Sequence, residues 1–377
     1  MIEPTDPLYR EIGKAFLEEQ RELYNYTSSL YQCDTYMEMD PEFTDPTELA
    51  GAARAVIDGM TAADPDAVWL MQGWPFVDDP YFWTPPRVKG YLDGVPTDKL
   101  IILDFYSDAV PVWNKMDNYF GKNWMYCMRG DLPTAVYWHF QPTMIAYDPK
   151  DIVRAWKELL LVGDELHDVD TYQHDLVDVT RQFLSNTFLA QYLRLREMHK
   201  EKVVASVQFC KLTQTMLTTM ERLEELLATN KDFLLGNWIG DALALAGEVS
   251  TGGLNSSRSE LQEYYEYEAR NQVTRWGDNN NEAIHDYAGK EWSGLVKGYY
   301  IPRWHMWLSE VCKAYTEGHE IDEKAFKKKR VDFELKWQLS RESYPTTTVG
   351  DSLAISKRIY NRIVSVTAVG NILIGKA

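Results

Sequence analysis

From about residue 10 to 128 the chain alternates helical stretches with short apolar runs. Pro46–Met60, PTELAGAARAVIDGM, reads as a helix. The runs Ala67–Gln72 (AVWLMQ), Leu100–Tyr106 (LIILDFY) and Asn123–Met128 (NWMYCM) are apolar without alternation. That pattern predicts parallel strands buried on both faces. Between the first and second of these runs, Pro85–Val95 (PPRVKGYLDGV) is a crossover helix opened by proline. Each strand leads into polar or aromatic residues, namely Gln72-Gly73-Trp74 and Asp104 to Asp108. A (β/α)8 barrel carries its active site at such strand ends. A doubly wound sheet shows the same ordering. Only three or four strands are visible, where a complete barrel has eight.

After about residue 147 the pattern changes to long helical stretches. Leu217, Met220, Leu223, Leu226 and Leu227 draw one apolar stripe at three- and four-residue spacing, with Glu221, Arg222, Glu224 and Glu225 mostly elsewhere on the surface. Such a stripe is more often core than site. Helix ends are marked by Asn230, Gly236, Gly252-Gly253 and the polar loop 277–281. The expected class is therefore α/β plus all-α: a partial barrel over 1–128, a junction over 129–146, and a helical C-terminal domain over 147–377. The junction, RGDLPTAVYWHFQPTMIA, has two prolines and no clear period. Its His139 is a candidate general base, but an isolated histidine is more often structural.

Composition narrows the partners. With 39 basic against 57 acidic residues and a formal charge of −18, no broad phosphate-binding surface is expected, which excludes nucleic acid. No apolar run is long enough to cross a bilayer, so no membrane partner is expected. The N-terminus MIEPTDPLYREI lacks the basic start and apolar core of a signal peptide and reads as cytosolic. Two sequons, Asn25-Tyr26-Thr27 and Asn255-Ser256-Ser257, qualify that reading, being glycan acceptors on a secretory route. Cys33, Cys127, Cys210 and Cys312 show no metal-ligand spacing, and neither a disulfide framework nor zinc is expected. The 13 Trp and 23 Tyr suit pockets that stack on sugar rings, and suit packed cores equally.

Several stretches together carry a resemblance. DTYMEM (34–39), AVWLMQGW (67–74), LIILDFYSD (100–108), FLLGNW (233–238), NQVTRWG (271–277) and YYIPRW (299–304) closely resemble the α-N-acetylglucosaminidase family. These are the lysosomal family 89 glycoside hydrolases that remove terminal N-acetylglucosamine from heparan sulfate. The resemblance implies a small N-terminal domain, a (β/α)8 barrel and a helical domain that helps to close the pocket. Against that plan the chain looks truncated or internally spliced, lacking the first barrel strands in front and the last ones between residues 128 and 147.

The resemblance makes Glu38 the general acid/base, a role that suits a partly desolvated carboxyl at a strand end. Without it, Glu38 reads as a surface glutamate beside core methionines. Retaining hydrolysis needs a second carboxylate about 5 Å away. The family's nucleophile falls between Met128 and Tyr147, where no residue matches. Asp104 and Asp108 end a strand, but no family motif makes either a nucleophile. Met37 stands where the family has an asparagine that holds the sugar substituent, and a thioether is a poor acceptor and no donor. Trp74, Trp276 and Tyr287 correspond to sugar-pocket aromatics. No metal or organic cofactor is implied. The implied partner is the non-reducing end of heparan sulfate, the implied compartment the lysosome, and family members often form homo-oligomers. The alternative is a catalytically inactive fragment that keeps the aromatics. An incomplete barrel also predicts unpaired edges, uncovered apolar faces and poor solubility.

Overall fold

The computed structural model describes residues 2–4, 6–25, 27–36, 41–105, 107, 110–127, 145, 147–200, 206–248, 258–277, 285–286 and 288–364. The chain divides into two compact units, Met1–Arg129 and Gly130–Ala377.

In the first unit the elements run α1 (Pro7–Tyr24), β1 (Leu30–Gln32), α2 (Pro46–Ala63), β2 (Val68–Gln72), α3 (Pro75–Asp78), α4 (Pro85–Asp93), β3 (Leu100–Phe105), α5 (Val112–Lys115) and β4 (Asn123–Cys127). Helix starts follow local chemistry. Asp45 accepts hydrogen bonds from the Thr47 and Glu48 amides, and Pro46 occupies the first helical position, so two donors are capped and one is absent. The four strands form one sheet in the order β1-β2-β3-β4, every neighbouring pair parallel. Sequential order with no reversal is the barrel arrangement; a doubly wound sheet reverses at a switch point. β1 was not visible in the sequence, because three residues are too few to establish a period.

Strand burial alternates, which corrects the expectation of strands covered on both faces. Trp69, Met71, Leu100 and Ile102 are buried against a layer that includes Leu49, Ala53, Ile57, Val88 and Leu92 of α2 and α4. Gly94 lets those helices meet, since a Cβ there would lie 2.2 Å from the Ala50 carbonyl oxygen. On the opposite face Val68, Leu70, Ile101, Leu103 and Phe105 are only half-buried, and Met125 is 53% exposed. In a closed barrel that face is covered by strands across the axis. Among the described residues the sheet has four strands, so the covering layer is incomplete.

The second unit is helical: α6 (Pro149–Leu161), α7 (Gly163–Leu166), α8 (Asp170–Lys200), α9 (Ser206–Leu227), α10 (Leu235–Glu248), α11 (Arg258–Gln272), α12 (Ile301–Glu317), α13 (Glu323–Gln338) and α14 (Ser352–Val364), with a π-type turn at Val296–Tyr300 leading into α12. The stripe predicted on α9 is core: Leu217, Met220, Leu223, Leu226 and Leu227 are all buried. Asn230 follows that helix and caps the next turn, accepting from the Asp232 amide. Glu224 lies in the last turn of α9. Its carboxylate accepts from the Gly294 and Lys297 amides and the Ser293 hydroxyl, anchoring the start of the π-type turn.

Cys210 of α9 and Cys312 of α12 form a disulfide, which corrects the expectation that the chain has no disulfide framework. Their Cα atoms are 5.6 Å apart, within bonding range. The two residues lie 102 apart in sequence and meet because α9 and α12 run antiparallel, with Phe209 stacked on Tyr315 beside them. Local spacing carries no trace of such a pair. No described helix is long and apolar enough to cross a membrane, and no metal-binding cluster occurs among the described residues. His139 lies outside the described residues.

Candidate functional site

The strand ends of the first unit carry a dense polar and aromatic network. Immediately after β1, the Cys33 carbonyl accepts from the Trp69 indole at 2.7 Å. The Asp34 carboxylate accepts from the Gln72 amide nitrogen at 3.0 Å and from the Gln72 side chain at 2.6 Å, bridging the ends of β1 and β2. The Thr35 and Tyr91 hydroxyls meet at 2.5 Å. Tyr36 packs its ring against Trp83 and Tyr91, with centroids 6.2 and 6.0 Å away. Burial, with a smaller contribution from Tyr9, pushes the Tyr36 phenol up to about 12, so it stays protonated. Four successive residues are thus fixed at the exit of β1. Met37 and Glu38 come next in sequence and lie outside the described residues, as do Asp108 and Tyr287.

Trp74 is half-buried at the end of β2, where its carbonyl accepts from the Val77 and Asp78 amides and starts α3. Asp104, considered above as a second carboxylate, takes a different part. Strand alternation places it with Leu100 and Ile102 on the covered face, fully buried. It accepts from the Ser107 and Tyr119 hydroxyls and from the Trp113 amide at 3.2 Å. Burial and the bond to Asp104 raise the Tyr119 phenol above its ordinary range, keeping it a donor. Asp104 therefore locks the end of β3 and is not available as a nucleophile. Ser107 adds a link to β4 by donating its amide to the Cys127 carbonyl at 3.2 Å.

Gly73 completes this lock, with its amide bonded to the Leu103 carbonyl at 2.8 Å. A Cβ on Gly73 would lie 2.3 Å from the Tyr119 phenol oxygen. Gly73→Ala is expected to push Tyr119 off Asp104 and cost about 2–4 kcal/mol, from overpacking and a broken buried hydrogen bond. Urea denaturation checks the cost. The same change made on Tyr119→Phe, which lacks the clashing oxygen, should cost at least about 1 kcal/mol less.

In the second unit the sequence-derived aromatic is Trp276, 41% exposed, on the turn that follows α11. Its φ is +58°. The turn folds back so that the Trp276 amide donates to the Asn271 carbonyl at 2.8 Å. Beneath it lies a buried charged layer that sequence reading missed. Asp286 accepts from Arg303 at 3.3 and 2.5 Å. Arg303 also donates to Glu334 at 3.2 Å. Arg270 bonds Glu266 at 2.8 Å and lies 4.9 Å from the Trp337 ring centroid. Burial pushes the Asp286 carboxyl up, against the opposing pull of the Arg303 guanidinium. The sequence signal for the layer was weak, since charged residues in amphipathic helices normally mark solvated faces.

Sequentially ordered parallel strands with a polar and aromatic rim, accompanied by a helical unit, define the class of (β/α)-barrel proteins with a helical companion domain. A family model described as the α-N-acetylglucosaminidase (NAGLU) TIM-barrel domain matches residues 1–163, and one described as the NAGLU C-terminal domain matches residues 104–362. The chain belongs to the α-N-acetylglucosaminidase family. The Homo sapiens α-N-acetylglucosaminidase is 26% identical over 468 residues, taking in 96% of this chain and 61% of the relative. The chain thus spans about three fifths of the length of that curated relative. The matched stretch, at 468 residues, exceeds the 377 of this chain, so segments inside it have no counterpart here. The family 89 glycoside hydrolase from Clostridium perfringens, solved with 2-acetamido-1,2-dideoxynojirmycin, superposes with a TM-score of 0.55 at 18% identity, covering 93% of this chain and 50% of that one. Its variant with two Glu→Gln substitutions, solved with its substrate GlcNAc-α-1,4-galactose, gives 0.58 at 18% identity over 97% and 52%. These likenesses establish the fold.

Proposed function

We propose that this chain carries the active-site half of an α-N-acetylglucosaminidase, acting on terminal N-acetyl-α-D-glucosamine. Glu38 is the general acid that protonates the leaving glycosidic oxygen. The observation that carries this reading is the fixed exit of β1: Asp34, Thr35 and Tyr36 are each anchored, the last of them two residues before Glu38 in sequence, in a chain of this family. Trp74 in the first unit, and Trp276 and Tyr287 in the second, are each candidates to offer an aromatic face to a pyranose. The substrate is the non-reducing end of heparan sulfate, whose neutral terminal sugar alone enters an exo-acting pocket. The Cys210–Cys312 disulfide and the exposed sequon residue Asn25 support maturation on the oxidising secretory route, and with it a lysosomal destination.

A second reading is favoured by the segments without counterpart and by the sheet of four strands among the described residues: a sugar-binding protein of this family that no longer hydrolyses. Purified protein assayed with a chromogenic N-acetyl-α-glucosaminide separates the two. Turnover that Glu38→Gln abolishes supports the hydrolase. A well-folded protein that binds N-acetylglucosamine without turnover supports the second reading and removes the first.

A further inference from the structure

The backbone at Trp276 calls for an explanation. A bulky side chain in the left-handed region is strained and persists only where its surroundings over-determine it. Asp286 shares the irregularity, with φ +60°, and the two are joined: the Asp286 amide donates to the Thr274 carbonyl at 2.6 Å, two residues before Trp276. Asp286 is in turn held by both arms of Arg303, at 3.3 and 2.5 Å. Arg303 is fixed by two further residues. It donates to Glu334 at 3.2 Å and to the Tyr299 hydroxyl at 3.2 Å, and its guanidinium lies 4.7 Å from the Tyr299 ring centroid. Arg303, Asp286 and Glu334 are all buried.

Buried ion pairs contribute little net stability compared with apolar side chains of the same volume. Their best use is to fix geometry. We propose that Arg303, acting through Asp286, is a positioning residue that holds the turn 274–276 in its left-handed form and so sets the orientation of Trp276 toward the sugar. Arg303 touches no sugar itself. The inference rests on the reading of Trp276 as a sugar-stacking residue, and its test contains one arm that needs no sugar.

In the first arm the protein is labelled with fluorotryptophan and the fluorine NMR line of Trp276 is assigned by Trp276→Phe. Asp286→Asn and Arg303→Lys should each displace or broaden that line. Leu223→Ala, a core truncation in α9, should lower the melting temperature and leave the line in place. In the second arm N-acetylglucosamine binding is titrated calorimetrically. Asp286→Asn should weaken it roughly fivefold, and should add nothing on a Trp276→Ala background, since coupled residues are not additive. An unmoved Trp276 line in both folded variants overturns the proposal, and so does full additivity in the cycle. A displaced line in a protein that binds no N-acetylglucosamine upholds the positioning and removes the proposed function. Should Asp286→Asn fail to fold, Arg303→Lys, which keeps the charge and loses the forked geometry, carries the comparison.

Discussion

Cys210→Ser combined with Cys312→Ser is expected to lower the unfolding free energy of the helical unit by about 4 kcal/mol. The crosslink closes a loop of 102 residues, and a disulfide closing a loop of that order restricts the unfolded chain by about 4–5 kcal/mol in the chain-entropy account. The folded side loses little. Phe209 and Tyr315 stay stacked beside the bond, with centroids 4.4 Å apart and rings within 1° of parallel. Native packing therefore places the two cysteines side by side with or without the bond. At about 2–4 °C per kcal/mol for a unit of this size, the melting temperature should fall by roughly 10 °C. Thermal melts followed by circular dichroism check this, and wild-type protein in reductant should reproduce the double variant. A fall of less than about 1 kcal/mol would show that the unfolded chain is already restricted in other ways.

The second large effect lies at Arg181. From α8 its guanidinium reaches Glu291 at 2.7 Å and Asp178 at 2.6 Å, while Ser185 donates to the same Glu291 carboxylate at 2.8 Å. The Arg181 and Glu291 side chains are 11% and 2% exposed. Arg181→Ala removes the guanidinium from a buried carboxylate and should cost about 3–5 kcal/mol. Replacing both buried partners with apolar residues of similar volume, Arg181→Met with Glu291→Met, should cost markedly less, because the one carboxylate left behind, Asp178, is 35% exposed and reaches water. Urea denaturation of the single and double variants decides the matter. A double variant as unstable as the single one would mean that the pair is needed for packing shape and not for charge balance.

Both effects arise from contacts that join residues about a hundred positions apart, and contacts beyond the span of a single element likewise separate what was legible in the sequence from what was not. The helix starting at Pro46 was readable because proline and a short periodic segment act locally. So were β2 and β3, and the α9 stripe with its Leu223 and Leu226. The family motifs were legible too, and they pointed to Glu38, Trp74, Trp276 and Tyr287 as sites. The role of Asp104 was not. Its chemistry is set by Ser107, Trp113 and Tyr119, and the last of these comes from a turn 15 residues onward.

By itself the sequence determined the alternation of helix and strand before residue 128, the helical second half and the family. Those properties follow from periods of a few residues and from ordered short motifs. The tertiary structure decided the rest. It established the sequential strand order, the single covered face of the sheet and the Cys210–Cys312 bond. It also decided the bridge from Asp34 to Gln72 and the Arg303–Asp286 pair beneath Trp276. Each of these joins side chains or strands distant along the chain. Local propensity cannot encode such a pairing, because it exists only once packing brings the partners together and burial makes their mutual satisfaction necessary.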